Sequence, residues 1–133
     1  NGSHVLVSGI AYKREIDDIR ESPALDVMGL LHAKGVRLSY FDPFVPTLSG
    51  KAWPGGYDLE SRALNPATLG SVDCVVIVTD HRAVDYQLLV DRAPLVVDTR
   101  NAIKKPYSHV FKIGAPHPQL DVDEVRDLVS AVA

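Results

Sequence analysis

His4-Val5-Leu6-Val7-Ser8-Gly9 runs straight into Ile10-Ala11-Tyr12-Lys13-Arg14-Glu15-Ile16-Asp17-Asp18-Ile19-Arg20-Glu21-Ser22-Pro23. The opening run is apolar without alternation, which suits a parallel strand covered on both faces and predicts a strand over 4–9. A helix is expected over about 23–33. Ser22 is a good N-cap, Pro23 sits where a missing N–H costs nothing, and Gly35 supplies the stop. Ala24, Leu25, Val27, Met28, Leu30 and Leu31 give that helix an apolar stripe. Between strand and helix lies a connection in which seven of the fifteen residues from Gly9 to Pro23 carry a formal charge. A plain turn needs only about two to six residues. A long charged loop at the carboxyl end of a first strand is where open α/β folds place ligands.

Working outward, residues 36–41 read as a second strand that closes a βαβ unit, right-handed by the general rule. Asp42-Pro43 and Pro46 end it. Residues 47–62 read as an irregular excursion with room for a short hairpin. Asn65-Pro66 starts a short helix to about 70. A third strand is expected over 73–79, a helix over 85–92, a fourth strand over 95–98 and a fifth over 109–113. Asp121 caps a last helix through about 131, and residues after about 115 read as a terminal tail or helix. This alternation predicts an α/β fold with a mainly parallel, doubly wound sheet. With strand order 2-1-3-4-5, the carboxyl ends bring Lys13, Arg20, His81 and Arg100 to one rim.

Size and composition set limits. The 133 residues fit one domain, and a chain of this size buries roughly two thirds of its unfolded surface. A net charge of -3 gives no reason to expect nucleic acid or an anionic membrane as partner. The single cysteine, Cys74, excludes an internal disulfide framework and suits a cytoplasmic setting. No apolar run approaches the about 20 residues of a membrane span. Gly2-Ser3-His4 reads either as an expression scar or as native residues of a longer chain.

The rim residues admit two readings at this level. Lys13 as a point charge and Arg20 and Arg100 as planar forks would make an anion site. The same charges could instead pair with Asp17, Asp18, Glu21 and Asp98 on a solvated surface. Tyr12 could pack against a base or ring face, or into the core. His81 could contact a ligand or carry a proton, although a loop histidine is more often a plain hydrogen-bond former. Cys74, inside an apolar strand, reads as packing rather than as a nucleophile. One cysteine and scattered histidines supply no tetrahedral zinc set, so no metal is expected. The turn after the first strand lacks G-x-G-x-x-G, the dinucleotide fingerprint.

The run G-I-A-Y-K-R-E-I-D-D-I-R-E-S-P-A-L (9–25) resembles the opening motif of the C-terminal domain of nucleotide-sugar dehydrogenases, the UDP-glucose/GDP-mannose dehydrogenase family. Y-F-D-P-F-V-P (40–46), D-C-V-V-I-V-T-D-H (73–81), V-D-Y (84–86) and L-V-V-D-T-R-N (95–101) resemble its later blocks. The resemblance implies a three-layer, Rossmann-like UDP-sugar-binding domain at the C-terminal end of a longer enzyme. It implies that Tyr12, Lys13 and Arg100 bind the UDP-sugar and that Arg20 reaches towards NAD. No catalytic residue is expected in this stretch. NAD would be bound mainly by the N-terminal domain. The nucleophilic cysteine would lie in the central domain, where the C6 alcohol is oxidised to a carboxylate through a thiohemiacetal and a thioester. T-D-H with V-D-Y is more like family members acting on UDP-N-acetylhexosamines than those acting on UDP-glucose. The parent would be a homodimer or larger, cytoplasmic, bacterial, and active in surface polysaccharide synthesis. Two alternatives stand beside this reading: a stand-alone nucleotide-binding or regulatory module without catalysis, and a purely structural domain whose rim charges pair among themselves.

Overall fold

A computed structural model describes residues 2–11, 18–20 and 22–113. Tyr12, Lys13 and the expected last helix lie outside them. Five strands form the main sheet: β1 (His4–Ser8), β2 (Arg37–Phe41), β5 (Cys74–Ile77), β6 (Val96–Asp98) and β7 (Val110–Lys112). Their order is β2-β1-β5-β6-β7, and every pairing is parallel. That is the expected 2-1-3-4-5 order once the intervening pair, β3 (Thr47–Leu48) and β4 (Leu59–Glu60), is set aside. The register places Val5 beside Cys74 and Val7 beside Val76.

Helices cover both faces, which is why the central strands are apolar without alternation. On one face Val5, Val7, Val76 and Val97 pack with Ala24, Val27, Met28 and Leu31 of α1 (Pro23–Ala33). On the other, Leu6, Val75, Ile77 and Val96 pack with Leu69 of α2 (Pro66–Gly70) and Leu89 and Val90 of α3 (Tyr86–Arg92). α1 has the bounds its sequence predicts. The Ser22 hydroxyl accepts the Ala24 N–H at 3.3 Å, Pro23 occupies the first turn, and Gly35 lies at φ +83°.

β2 and β6 end where expected, while β1, β5 and β7 stop earlier at their carboxyl ends; at β1 and β5 the cause is local. Gly9 turns into the left-handed region at φ +86°, so β1 ends at Ser8. The Val78 and Thr79 N–H groups both donate to the Ser8 carbonyl, at 3.0 and 3.4 Å, and the even parallel ladder is lost there. The 47–62 excursion does contain a hairpin, β3 against β4, enclosing a 3-10 turn at Gly50–Ala52. Trp53 anchors it: the ring is buried, and its indole N–H donates to the Tyr57 carbonyl at 2.8 Å. Pro54 packs so tightly on α1 that a Cβ at Gly29 would lie 2.8 Å from its ring.

Candidate functional site

All five parallel strands finish on one edge, and the polar residues of that edge are built around the exit of β1. Gly9 is there for two reasons. Its φ is positive, and a Cβ would stand 2.1 Å from the Thr79 carbonyl oxygen. This close approach lets β5 reach the backbone beyond Gly9. The Thr79 hydroxyl donates to the Ala11 carbonyl at 2.7 Å. From the other side, Oδ2 of Asp42, just past β2, accepts the N–H groups of Ile10 and Ala11 at 2.8 and 3.0 Å. Ala11 is therefore held at both its N–H and its C=O immediately before Tyr12.

Asp42 is almost wholly buried, and its carboxylate is fully used. Oδ1 accepts the Phe44 N–H at 2.8 Å, which shapes the turn through Pro43. His81 Nε2 lies 3.2 Å from Oδ2, with both side chains shut away from solvent. Oδ2 already accepts two N–H bonds, so His81 is the donor and Nε2 carries the proton. The Phe44 ring stands 5.3 Å from the imidazole. Below them the Tyr40 hydroxyl donates to the Val45 carbonyl at 2.8 Å. Burial, reinforced by the Asp42 charge, pushes that phenol up to about 12.

Beyond β6 a second buried carboxylate does the same for the Arg100 segment. Asp98 Oδ1 accepts the N–H groups of Arg100 and Ala102 at 3.0 and 3.1 Å, and Oδ2 accepts that of Ile103 at 2.9 Å. Asn101 adopts a left-handed φ of 55° within this turn. Asp98 was one candidate partner for the rim charges. In the fold it grips backbone, and the Arg100 guanidinium instead places Nε 3.8 Å from Asp80 Oδ1, half exposed at the rim. At that distance and exposure the pairing is weak.

Arg20 follows the surface-pair reading. Its Nε and Nη2 meet Asp18 at 3.1 and 3.0 Å, with the arginine side chain 87% exposed. The guanidinium hydrogen bonds hold the Asp18 carboxyl below its usual range. Arg20 and Arg100 thus present charge from different segments, while Tyr12 and Lys13 fall outside the described residues. Sequence reasoning passed over Asp42 and underrated Asp98. The available signal was an aspartate directly after an apolar strand, Tyr40-Phe41-Asp42-Pro43 and Val96-Val97-Asp98-Thr99.

No group of three metal-ligating side chains occurs among the described residues. Cys74 is buried in β5, and burial, with a lesser push from the Asp73 charge, raises its thiol to about 12. A thiol-specific reagent at about pH 8 should leave it unmodified in the folded chain and react within minutes once urea unfolds it. Rapid modification without denaturant would contradict its burial. The space left by the missing Gly9 side chain is taken by the Thr79 backbone.

Residues 6–105 match the UDP-glucose/GDP-mannose dehydrogenase family, UDP binding domain. A UDP-glucose 6-dehydrogenase of Rhizobium meliloti (strain 1021) is 32% identical over 109 residues, covering 78% of this chain and 24% of the relative. Among solved structures, a UDP-glucose dehydrogenase from Pyrobaculum islandicum superposes with a TM-score of 0.64 at 30% identity, over 87% of this chain and 26% of that one. A UDP-D-ManNAc dehydrogenase from Pyrococcus horikoshii gives 0.63 at 25% identity, over 84% and 25%. The chain spans about a quarter of the length of the proteins it matches.

Proposed function

The chain belongs to the UDP-glucose/GDP-mannose dehydrogenase family, through its UDP binding domain, and we propose that residues 1–133 form the C-terminal UDP-sugar clamp of a longer NAD-dependent 6-dehydrogenase. The observation that carries this reading is the carboxyl edge of the sheet. There the Arg100 backbone is fixed by Asp98, and the loop leading to Tyr12 and Lys13 is fixed by Asp42 and Thr79. Arg100 offers a planar fork, and Lys13 a compact charge, to the diphosphate. Tyr12 packs against the nucleotide, and Arg20 gives up Asp18 to reach towards NAD.

The parent enzyme oxidises the C6 alcohol of a UDP-sugar to a carboxylate, and NAD, held mainly by an N-terminal domain, supplies the hydride acceptor when bound. This chain contributes remote binding energy that positions C6 for chemistry carried out elsewhere. The substrate is a UDP-N-acetylhexosamine, a reading supported by the resemblance of Thr79-Asp80-His81 and Val84-Asp85-Tyr86 to that branch. The parent is cytoplasmic, at least dimeric, and feeds surface polysaccharide synthesis. Among the described residues no helix is long and apolar enough to cross a membrane.

The test is titration of the 133-residue chain with UDP up to millimolar concentration, followed by amide chemical shifts. Lys13→Ala and Arg100→Ala should each weaken binding by about tenfold or more, the loss of one charge-assisted contact of roughly 1.5–3 kcal/mol. Unchanged affinity in both variants would remove the clamp assignment. With UDP-sugar and NAD the chain alone should produce no NADH, and turnover would overturn the domain assignment.

A further inference from the structure

Three consecutive residues after β5 meet the rim on two sides, the Ile10–Ala11 backbone and the Arg100 side chain. Thr79 donates to the Ala11 carbonyl at 2.7 Å. Asp80 faces the Arg100 guanidinium at 3.8 Å. His81 donates to Asp42, which in turn accepts the Ile10 and Ala11 N–H groups. The loop that leads to Lys13 and the segment that carries Arg100 come from β1 and β6, which are not neighbours in the sheet. β5 lies between them, and its Thr79-Asp80-His81 exit touches the anchoring of the first and the Arg100 side chain of the second.

We infer that Thr79 and the Asp42–His81 pair are positioning residues that fix the Ile10–Ala11 backbone, from which the chain enters Tyr12 and Lys13, and so govern the fit to a nucleoside diphosphate. This inference rests on the UDP-binding reading above. None of the three side chains needs to touch the nucleotide. Thr79, Asp42 and His81 are all buried, at 6, 1 and 1% exposure, and they act through the backbone of Ile10 and Ala11. Ala11 immediately precedes Tyr12 in the chain. The hydrogen bond lost at such a positioning residue is read out as weaker binding at the group it positions.

The experiment compares wild type, Thr79→Val, Thr79→Ser, His81→Leu and Lys13→Ala in the UDP titration, with amide hydrogen exchange measured on the same samples. Thr79→Val removes the hydroxyl while keeping the branched shape. It should weaken UDP binding about tenfold, the equivalent of roughly one net hydrogen bond. Exchange at Ile10 and Ala11 should speed up while the central β1 and β5 amides stay protected. Thr79→Ser should restore both readouts, which a loss of packing alone would not allow. If Thr79→Val fails to fold, His81→Leu carries the test, with the same affinity loss and faster Ile10 and Ala11 exchange expected. UDP binding that Lys13→Ala weakens and a folded Thr79→Val or His81→Leu leaves at wild-type strength overturns the inference and spares the UDP reading. A wild-type chain that shows no UDP response at millimolar concentration overturns both.

Discussion

Gly9→Ala should destabilise the chain by roughly 3 kcal/mol or more, a left-handed penalty of about 1–2 kcal/mol plus an overpacking cost of similar size. The added methyl would stand 2.1 Å from the Thr79 carbonyl oxygen and 2.8 Å from its carbonyl carbon. Both are backbone atoms of the neighbouring strand exit, so no rotamer change can relieve the contact. β1 and β5 would have to separate where Val78 and Thr79 donate to Ser8 and where Thr79 reaches Ala11. Urea unfolding of the two proteins measures the difference. A loss smaller than about 1 kcal/mol would mean that the two strand exits are not packed as described.

Asp42→Ala should be comparably severe, at roughly 3–5 kcal/mol, because it strands several buried donors at once. Ile10, Ala11 and Phe44 would lose their backbone acceptor, and His81 would lose its partner inside a closed site. Asp42→Asn makes the sharper comparison. Its one oxygen can keep the position of Oδ2, where three donors converge, and its amide then opposes only the Phe44 N–H. The expected cost is about 1–3 kcal/mol, clearly below that of alanine. Denaturation midpoints for the three proteins, with m-values, test the order. Equal losses in Asn and Ala would show that hydrogen bonding to Oδ2 is not what Asp42 contributes.

Much of the architecture was readable from short-range signals. Ser22-Pro23 and Gly35 set the bounds of α1 because capping and left-handed φ are decided within a few residues. Asn65-Pro66 did the same for α2, where the Asn65 side chain accepts the Thr68 N–H at 2.8 Å. The apolar runs 5–7 and 74–77 required cover on both faces, and that requirement led to the parallel sheet; the order 2-1-3-4-5, assumed from the sequence, is the one observed. The charged loop after Ser8 marked the polar edge of the sheet for the same reason, since a long polar connection cannot be part of the core.

The working parts of that edge were decided only by the fold. Asp42 takes its donors from residues 32 and 31 positions earlier and 39 positions later. No window of local sequence contains such a group, and beside Pro43 the aspartate reads as a strand stop. Asp98 reads as a surface charge until the turn through Asn101 folds three N–H groups back onto it. His81 reads as a loop residue until β1 and β5 pair and close the site over its ring. The chain by itself determined where strands and helices begin, and which edge would be polar, because those follow from spacing and from groups a few residues apart. Which buried carboxylate holds which arm depends on strands that meet only in the assembled sheet, where desolvation makes each unpaired N–H costly enough to select its acceptor.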